Sequence, residues 1–178
     1  ESSNSNVFVR DCANYGPVTF WGIVDLYTRV GGVTGLFFSD HTTKYIQNCL
    51  NSGTLTFGTN LTFNPNLAVG GITGWCQNTT FDNCVNIGQF ISVTDSDCIG
   101  SIIGKIDTFS SFLHCHWLNG LGSDRLYGAN RSIWIASESH EITLGKATTD
   151  DLNSYSVNKS WNKWLLNTDN KSITFKAN

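Results

Sequence analysis

One short pattern recurs down this chain at a nearly fixed interval: a polar residue, a Cys, an Asn two positions on and a Gly two further. It reads Asp11-Cys12-Ala13-Asn14-Tyr15-Gly16, Asn48-Cys49-Leu50-Asn51-Ser52-Gly53 and Asn83-Cys84-Val85-Asn86-Ile87-Gly88. A degenerate fourth copy, His114-Cys115-His116-Trp117-Leu118-Asn119-Gly120, carries one inserted residue. The four cysteines lie 37, 35 and 31 residues apart. A second pattern falls between copies of the first: Gly31-Gly32-Val33-Thr34-Gly35, Gly70-Gly71-Ile72-Thr73-Gly74 and the weaker Gly100-Ser101-Ile102-Ile103-Gly104. Two motifs repeated in one order constrain the fold more than either alone, because a fixed period gives every residue a place in a repeated unit.

A unit of this length made of short strands cannot bury its own apolar face, whereas copies stacked about 4.8 Å apart bury one continuous column. The expected fold is therefore all-β, a short β-solenoid of three to four irregular coils. In it Cys12, Cys49, Cys84 and Cys115 point inward and pile into a column. Asn14, Asn51 and Asn86 form an amide ladder at a bend, and Gly16, Gly53 and Gly88 adopt backbone conformations closed to other residues. The Gly-Gly stretches supply an inward aliphatic residue where backbone passes close to backbone. The degenerate fourth copy is a candidate cap.

The paired motifs resemble those of GLUG-type repeats, found in large surface and secreted proteins of bacteria and microbial eukaryotes, adhesin-like proteins among them. The resemblance spans roughly residues 7–120. It implies an extracellular β-solenoid-like array with a role in attachment or surface architecture, and it brings no catalytic residues with it. Ser101 in place of Gly, His116-Trp117 in the fourth copy and the drifting lengths depart from the pattern.

Residues 1–145 are read as the solenoid and 146–178 as a capping segment packed on it. Within the cap, Thr148 or Thr149 followed by Asp150 and Asp151 reads as a helix start. Trp161, Trp164, Leu165 and Leu166 give an i, i+3, i+4 cluster, and Ile173-Thr174-Phe175 reads as a closing strand. A solenoid needs its last apolar layer hidden, and an aromatic-rich tail suits that.

Composition narrows the functional classes. Charged residues make up only 14%, the net charge is -3, and no Lys/Arg cluster is present, so the electrostatic footprint of a nucleic-acid binder is missing. Apolar runs such as Gly35-Leu36-Phe37-Phe38 are far too short to span a bilayer, so no membrane insertion is expected within this chain. The sequence lacks a start methionine and a signal-like leader and reads as a mature or excised piece. Sequons begin at Asn60, Asn78, Asn130, Asn158 and Asn170. They permit glycosylation in a secreted protein, but roughly four would arise by chance in a chain this rich in Asn, Ser and Thr.

No catalytic, cofactor or metal site is expected. The column cysteines lack the tight Cys-X₂₋₄-Cys spacing of a zinc site; they read as structural thiols, with disulfides between adjacent coils as the alternative. Cys76 and Cys98 lie off the column. His114 and His116, two apart on a strand, would face one side, but two imidazoles alone rarely hold a metal. Asp95-Ser96-Asp97 lacks the Gly and distal Glu of a calcium loop. Ser39-Asp40-His41 is contiguous, whereas a working triad assembles from separated segments. Glu138, His140 and Glu141 are the candidates for acid–base work on a polysaccharide.

Aromatic residues exceed what a narrow coil holds, so Trp21, Trp75, Trp117 and Trp134 are candidates to face outward and stack on a ligand. The functional expectation is a non-enzymatic extracellular adhesion or structural repeat module whose partner is a glycan or protein at a surface. The alternatives are a self-associating fibre or wall building block, its partner copies of itself, and a small β-helical polysaccharide-active enzyme.

Overall fold

The computed structural model describes residues 6–21, 28–38, 43–58, 67–92, 98–108, 110–118, 125–130, 133–137, 140–142, 164–167 and 172–175. Its described residues are all β, in twenty-two strands. The first coil runs β1 (Val7–Arg10), β2 (Ala13–Asn14), β3 (Val18–Phe20), β4 (Arg29–Gly31) and β5 (Thr34–Phe37). The second repeats it as β6 (Lys44–Gln47), β7 (Leu50–Asn51), β8 (Leu55–Phe57), β9 (Ala68–Gly70) and β10 (Thr73–Cys76). The third follows as β11 (Thr79–Asp82), β12 (Val85–Asn86), β13 (Phe90–Ile91), β14 (Ile99–Gly100) and β15 (Ile103–Ile106). A fourth coil contributes β16 (Ser110–Leu113), β17 (His116–Leu118) and β18 (Tyr127–Asn130); β19 (Ile133–Ser137) and β20 (His140–Ile142) open a fifth. The degenerate copy is thus no cap. Its strands pair onward, β16 with β19 and β17 with β20.

Equivalent strands stack in parallel into five sheets, in the orders β1-β6-β11-β16-β19, β2-β7-β12-β17-β20, β3-β8-β13, β4-β9-β14 and β5-β10-β15-β18. We call them faces 1 to 5. The chain is a β-solenoid, as the repeats predict. Antiparallel pairing occurs between β21 (Trp164–Asn167) and β22 (Ser172–Phe175). The expected strand at Ile173–Phe175 is present, but Trp164–Leu166 lies in a strand rather than on a helical turn. Three neighbouring apolar residues fit either period, and the cross-strand partner decides. The helix expected after Thr148 falls outside the described residues.

The interior is divided in two. Beneath faces 1, 2 and 5, Ile46, Phe81 and Phe112 stack with Cys49, Cys84, Cys115, Ile72 and Ile102, all with zero exposure. Beneath faces 3 and 4 lies a second cluster of Leu55, Phe57, Leu67, Val69, Phe90 and Ile99. The two motifs meet at the waist between the clusters. A Cβ on Gly32 would collide with the Asn51 amide and the Gly71 carbonyl, and one on Gly71 with the Asn86 amide and the Ser101 carbonyl. The Gly-Gly bend therefore exists to let the amide ladder of the next coil touch it. Both partners change together one coil later: Ser101 replaces the glycine, and Trp117 pairs with Asn86 at the ladder position.

The ladder itself is continuous. Asn14 Nδ2 donates to Asn51 Oδ1 at 2.8 Å, and Asn51 Nδ2 to Asn86 Oδ1 at 2.8 Å. Asn51 is fully buried, and its Nδ2 also reaches the Gly53 carbonyl at 3.1 Å. An amide buried this way needs partners on both sides, because each unmet polar group costs about 1–3 kcal/mol. One expectation is corrected. The left-handed backbone falls not on Gly16, Gly53 or Gly88 but on the polar residue before each cysteine, at Asp11 (φ 56°), Asn48 (51°), Asn83 (54°) and His114 (52°). Asp, Asn and His are the non-glycine residues most tolerant of that conformation. Gly53 and Gly88 are required for closeness instead, since a Cβ there would strike the carbonyls of Gly16 and Gly53.

Candidate ligand-binding surface

Register shows where this solenoid varies. Val7 pairs with Lys44, Ala13 with Leu50 and Val18 with Leu55, a constant offset of 37 through faces 1 to 3. Arg29 pairs with Ala68 and Thr34 with Thr73, an offset of 39 on faces 4 and 5. From the second coil to the third the offset is 35 at Lys44–Thr79, Leu50–Val85 and Leu55–Phe90, then 30 at Val69–Ile99 and Thr73–Ile103. Length therefore changes at two corners: between faces 3 and 4, and where one coil passes to the next. The first changes by two residues and then by five, the second by four and then by one.

Trp21 stands at the mouth of that corner, directly after β3. It is 74% exposed, the highest value among the large hydrophobic residues whose side chains are described. Its six-membered ring sits against Gly58, where a Cβ would come within 2.8 Å of Cε3. Glycine there gives the indole a floor, while most of the ring stays open to solvent. Side chains two apart on a strand share a face, so Thr19 flanks Trp21, and Thr56 and Ile91 continue the row on the next coils. Thr19 and Ile91 are exposed and Thr56 half-buried. Among the described residues, this outer row of face 3 bears no charge.

The other stacking candidates fare differently. Trp75 on face 5 is half-buried, with the Arg29 guanidinium 3.9 Å and the Lys105 ammonium 4.3 Å from its ring centroid. Cations over an indole are attracted by its quadrupole, so this ring is occupied by the protein itself. Trp117 is 7% exposed and belongs to the core; its substitution for a ladder Asn turned it inward, against the expectation. The Trp134 side chain lies outside the described residues. Phe8 and Tyr45, not singled out from sequence, stack outward on face 1 at 4.9 Å with Arg10 over Phe8. The signal was the shared place of Phe8 and Tyr45 one before an inward residue in successive repeats.

The cysteine column is present. None of the six cysteines is in a disulfide bond. Cys12, Cys49 and Cys115 donate to the carbonyls of Arg10, Gln47 and Leu113 at 3.3–3.4 Å, and Cys84 to that of Ile46 at 3.3 Å. Burial holds the Cys84 thiol well above the usual range and raises Cys12 more modestly. Cys49 is held below it by a hydrogen bond from the Cys84 thiol, which outweighs desolvation. Off the column, buried Cys76 is pushed up to about 12 by desolvation, against the relief given by Ser110 and Thr79.

His114 and His116 do not share a face, because the left-handed turn at His114 intervenes. His114 Nδ1 lies 2.9 Å from Asp82 Oδ1 at the surface, while His116 is 1% exposed and takes the inward place of Leu50 and Val85. Among the described residues no group of three or more His, Cys, Asp or Glu is arranged to hold a metal ion. Asn78 is half-buried in a left-handed conformation, and its Oδ1 accepts from Thr108 Oγ1 at 3.2 Å. Asn130 ends β18 with its side chain undescribed. Asn60, Asn158, Asn170, Ser39-Asp40-His41, Asp95-Ser96-Asp97 and Glu138 lie outside the described residues, as do the side chains of His140 and Glu141.

Comparison with solved structures finds the same architecture elsewhere. A crystal structure from Bacteroides ovatus described as a "putative immunoglobulin A1 protease" superposes with a TM-score of 0.55 at 18% identity, over 95% of this chain and 57% of that one. The likeness establishes a shared fold, and this chain spans little more than half the length of that protein. No known family matches the sequence, and no curated protein does.

Proposed function

We propose that this chain is a non-enzymatic extracellular module of a surface or secreted protein that holds a ligand at the corner between faces 3 and 4. One observation carries the reading: Trp21 presents an open indole beside the uncharged row of Thr19, Thr56 and Ile91, at a corner where the coil changes length. In rigid repeats the loops that vary in length are often where partners bind. The motifs' resemblance to GLUG-type repeats supports the extracellular role, since such repeats occur in adhesin-like proteins. An uncharged aromatic surface with hydroxyls suits glycans, whose C–H faces stack on rings and whose hydroxyls pair with Thr.

The test is a screen of immobilised neutral glycans, matrix proteins and immunoglobulin A1 against the wild type and Trp21→Ala. Binding that falls at least tenfold in the variant, with no ligand cleaved, is the expected result. Binding unchanged by Trp21→Ala, no binding across the screen, or cleavage of polysaccharide or immunoglobulin would each overturn it.

One observation favours self-association as a second reading. Among the described residues, strands β1 to β5 end their sheets, and Val7 and Phe8 on β1 are 40% and 44% exposed. Unpaired strand edges template further pairing. Concentration-dependent growth in light scattering, abolished by Val7→Lys, would establish it; a monomer at all concentrations would dismiss it.

A further inference from the structure

We propose that Cys12 is a site of thiol–disulfide exchange with small-molecule disulfides, and that the adduct resolves into a Cys12–Cys49 cross-link stapling the first coil to the second. Geometry brings the two together. Arg10 pairs with Gln47 and Ala13 with Leu50, so Cys12 and Cys49 sit opposite each other at the same offset. Neighbouring strands about 4.8 Å apart fall within the 4.4–6.8 Å Cα separation that a disulfide spans.

Access selects the entry point. Cys49, Cys84 and Cys115 have zero exposure, whereas Cys12 is half-buried. Register selects the resolving group: Cys49 is the cysteine opposite Cys12 on the next coil. The column thus has one accessible member that meets the reagent and a second placed opposite it to complete the reaction.

The chemistry balances in two steps. Cys12 loses its proton and its sulfur attacks one sulfur of a disulfide RSSR, forming Cys12–S–S–R and expelling RS⁻. The Cys49 thiolate then attacks Cys12 Sγ, forming the Cys12–Cys49 bond and expelling a second RS⁻. Two protein thiols give up two electrons and two protons, and the reagent leaves as two RSH. The thiolate is the attacking species, so the first step slows at low pH because burial raises Cys12.

The test incubates the reduced, folded protein with oxidised glutathione and follows intact mass and mapped peptides. A transient single adduct on Cys12 is expected, followed by a species two hydrogens lighter than the reduced protein with Cys12 joined to Cys49. Adduct formation should rise about tenfold between pH 7.5 and 8.5. Cys49→Ala should stop at the adduct, and Cys12→Ser should give neither product while folded. An adduct on Cys12 that persists with Cys49 present, first modification at Cys76, Cys84 or Cys115, or no reaction of the folded protein while the urea-unfolded chain reacts would each overturn the proposal. The wild-type map decides this even if a variant fails to fold.

Discussion

The first coil and the middle two carry the same motifs in the same register, yet they differ in what surrounds them. Ile46, Phe81, Leu50 and Val85 have zero exposure; Val9 and Ala13, their counterparts in the first coil, are only partly buried. The amide ladder shows the same gradient. Asn51 bonds to Asn14 and Asn86, while Asn14 has a ladder partner on one side only among the described residues. A repeat motif thus has no fixed energetic worth; its value is set by how many neighbours it has, as expected for a stack of nearest-neighbour contacts.

That contrast can be broken deliberately. The largest effect is expected from Gly71→Ala, which drives a methyl into the Asn86 amide and the Ser101 carbonyl at the waist; loss of cooperative unfolding by circular dichroism is the expected outcome. Phe81→Ala removes a fully buried ring stacked at 4.9 Å on Phe112 and should cost about 4 kcal/mol in urea denaturation. Asn51→Ala should cost about 3 kcal/mol, and Asn14→Ala about 1 kcal/mol, the difference reporting the second neighbour. Equal losses at Asn51 and Asn14 would erase the comparison.

The smallest effect depends on pH. Cys76 is pushed up to about 12 from 9.0 by burial. A thiol whose folded pKa is raised leaves stability intact below pH 9 and lowers it as pH rises from 9 toward 12, because the unfolded chain then releases a proton that the folded one keeps. At pH 10 the loss from this thiol should be about 1 kcal/mol. Cys76→Ala should flatten that part of the profile measured by urea midpoints.

Much of this was legible in the sequence because stacking turns period into position. Spacings of 37, 35 and 31 between cysteines are the register offsets of faces 1 and 2, so the column and the Asn ladder could be read directly. What escaped were relations between motifs within one cross-section. Nothing in the spacing says that Gly71 touches Asn86, since that contact depends on how the coil folds across itself. Trp117 was misplaced for the same reason: its register partner is Asn86, and only the pairing reveals that it took an inward position. Glycine is the usual bearer of left-handed backbone, but here Asp11, Asn48, Asn83 and His114, residue types that tolerate the turn, carry it.

The corner between faces 3 and 4 gains or loses residues while Leu55–Phe57 and Ala68–Gly70 hold their pairings on both sides. Such a corner is a natural splice point: peptide inserted between Gly58 and Leu67 would lengthen the rim and leave the hydrogen-bonded ladders in step. The molecule is then a rack whose shelves are fixed and whose labels can be rewritten one at a time.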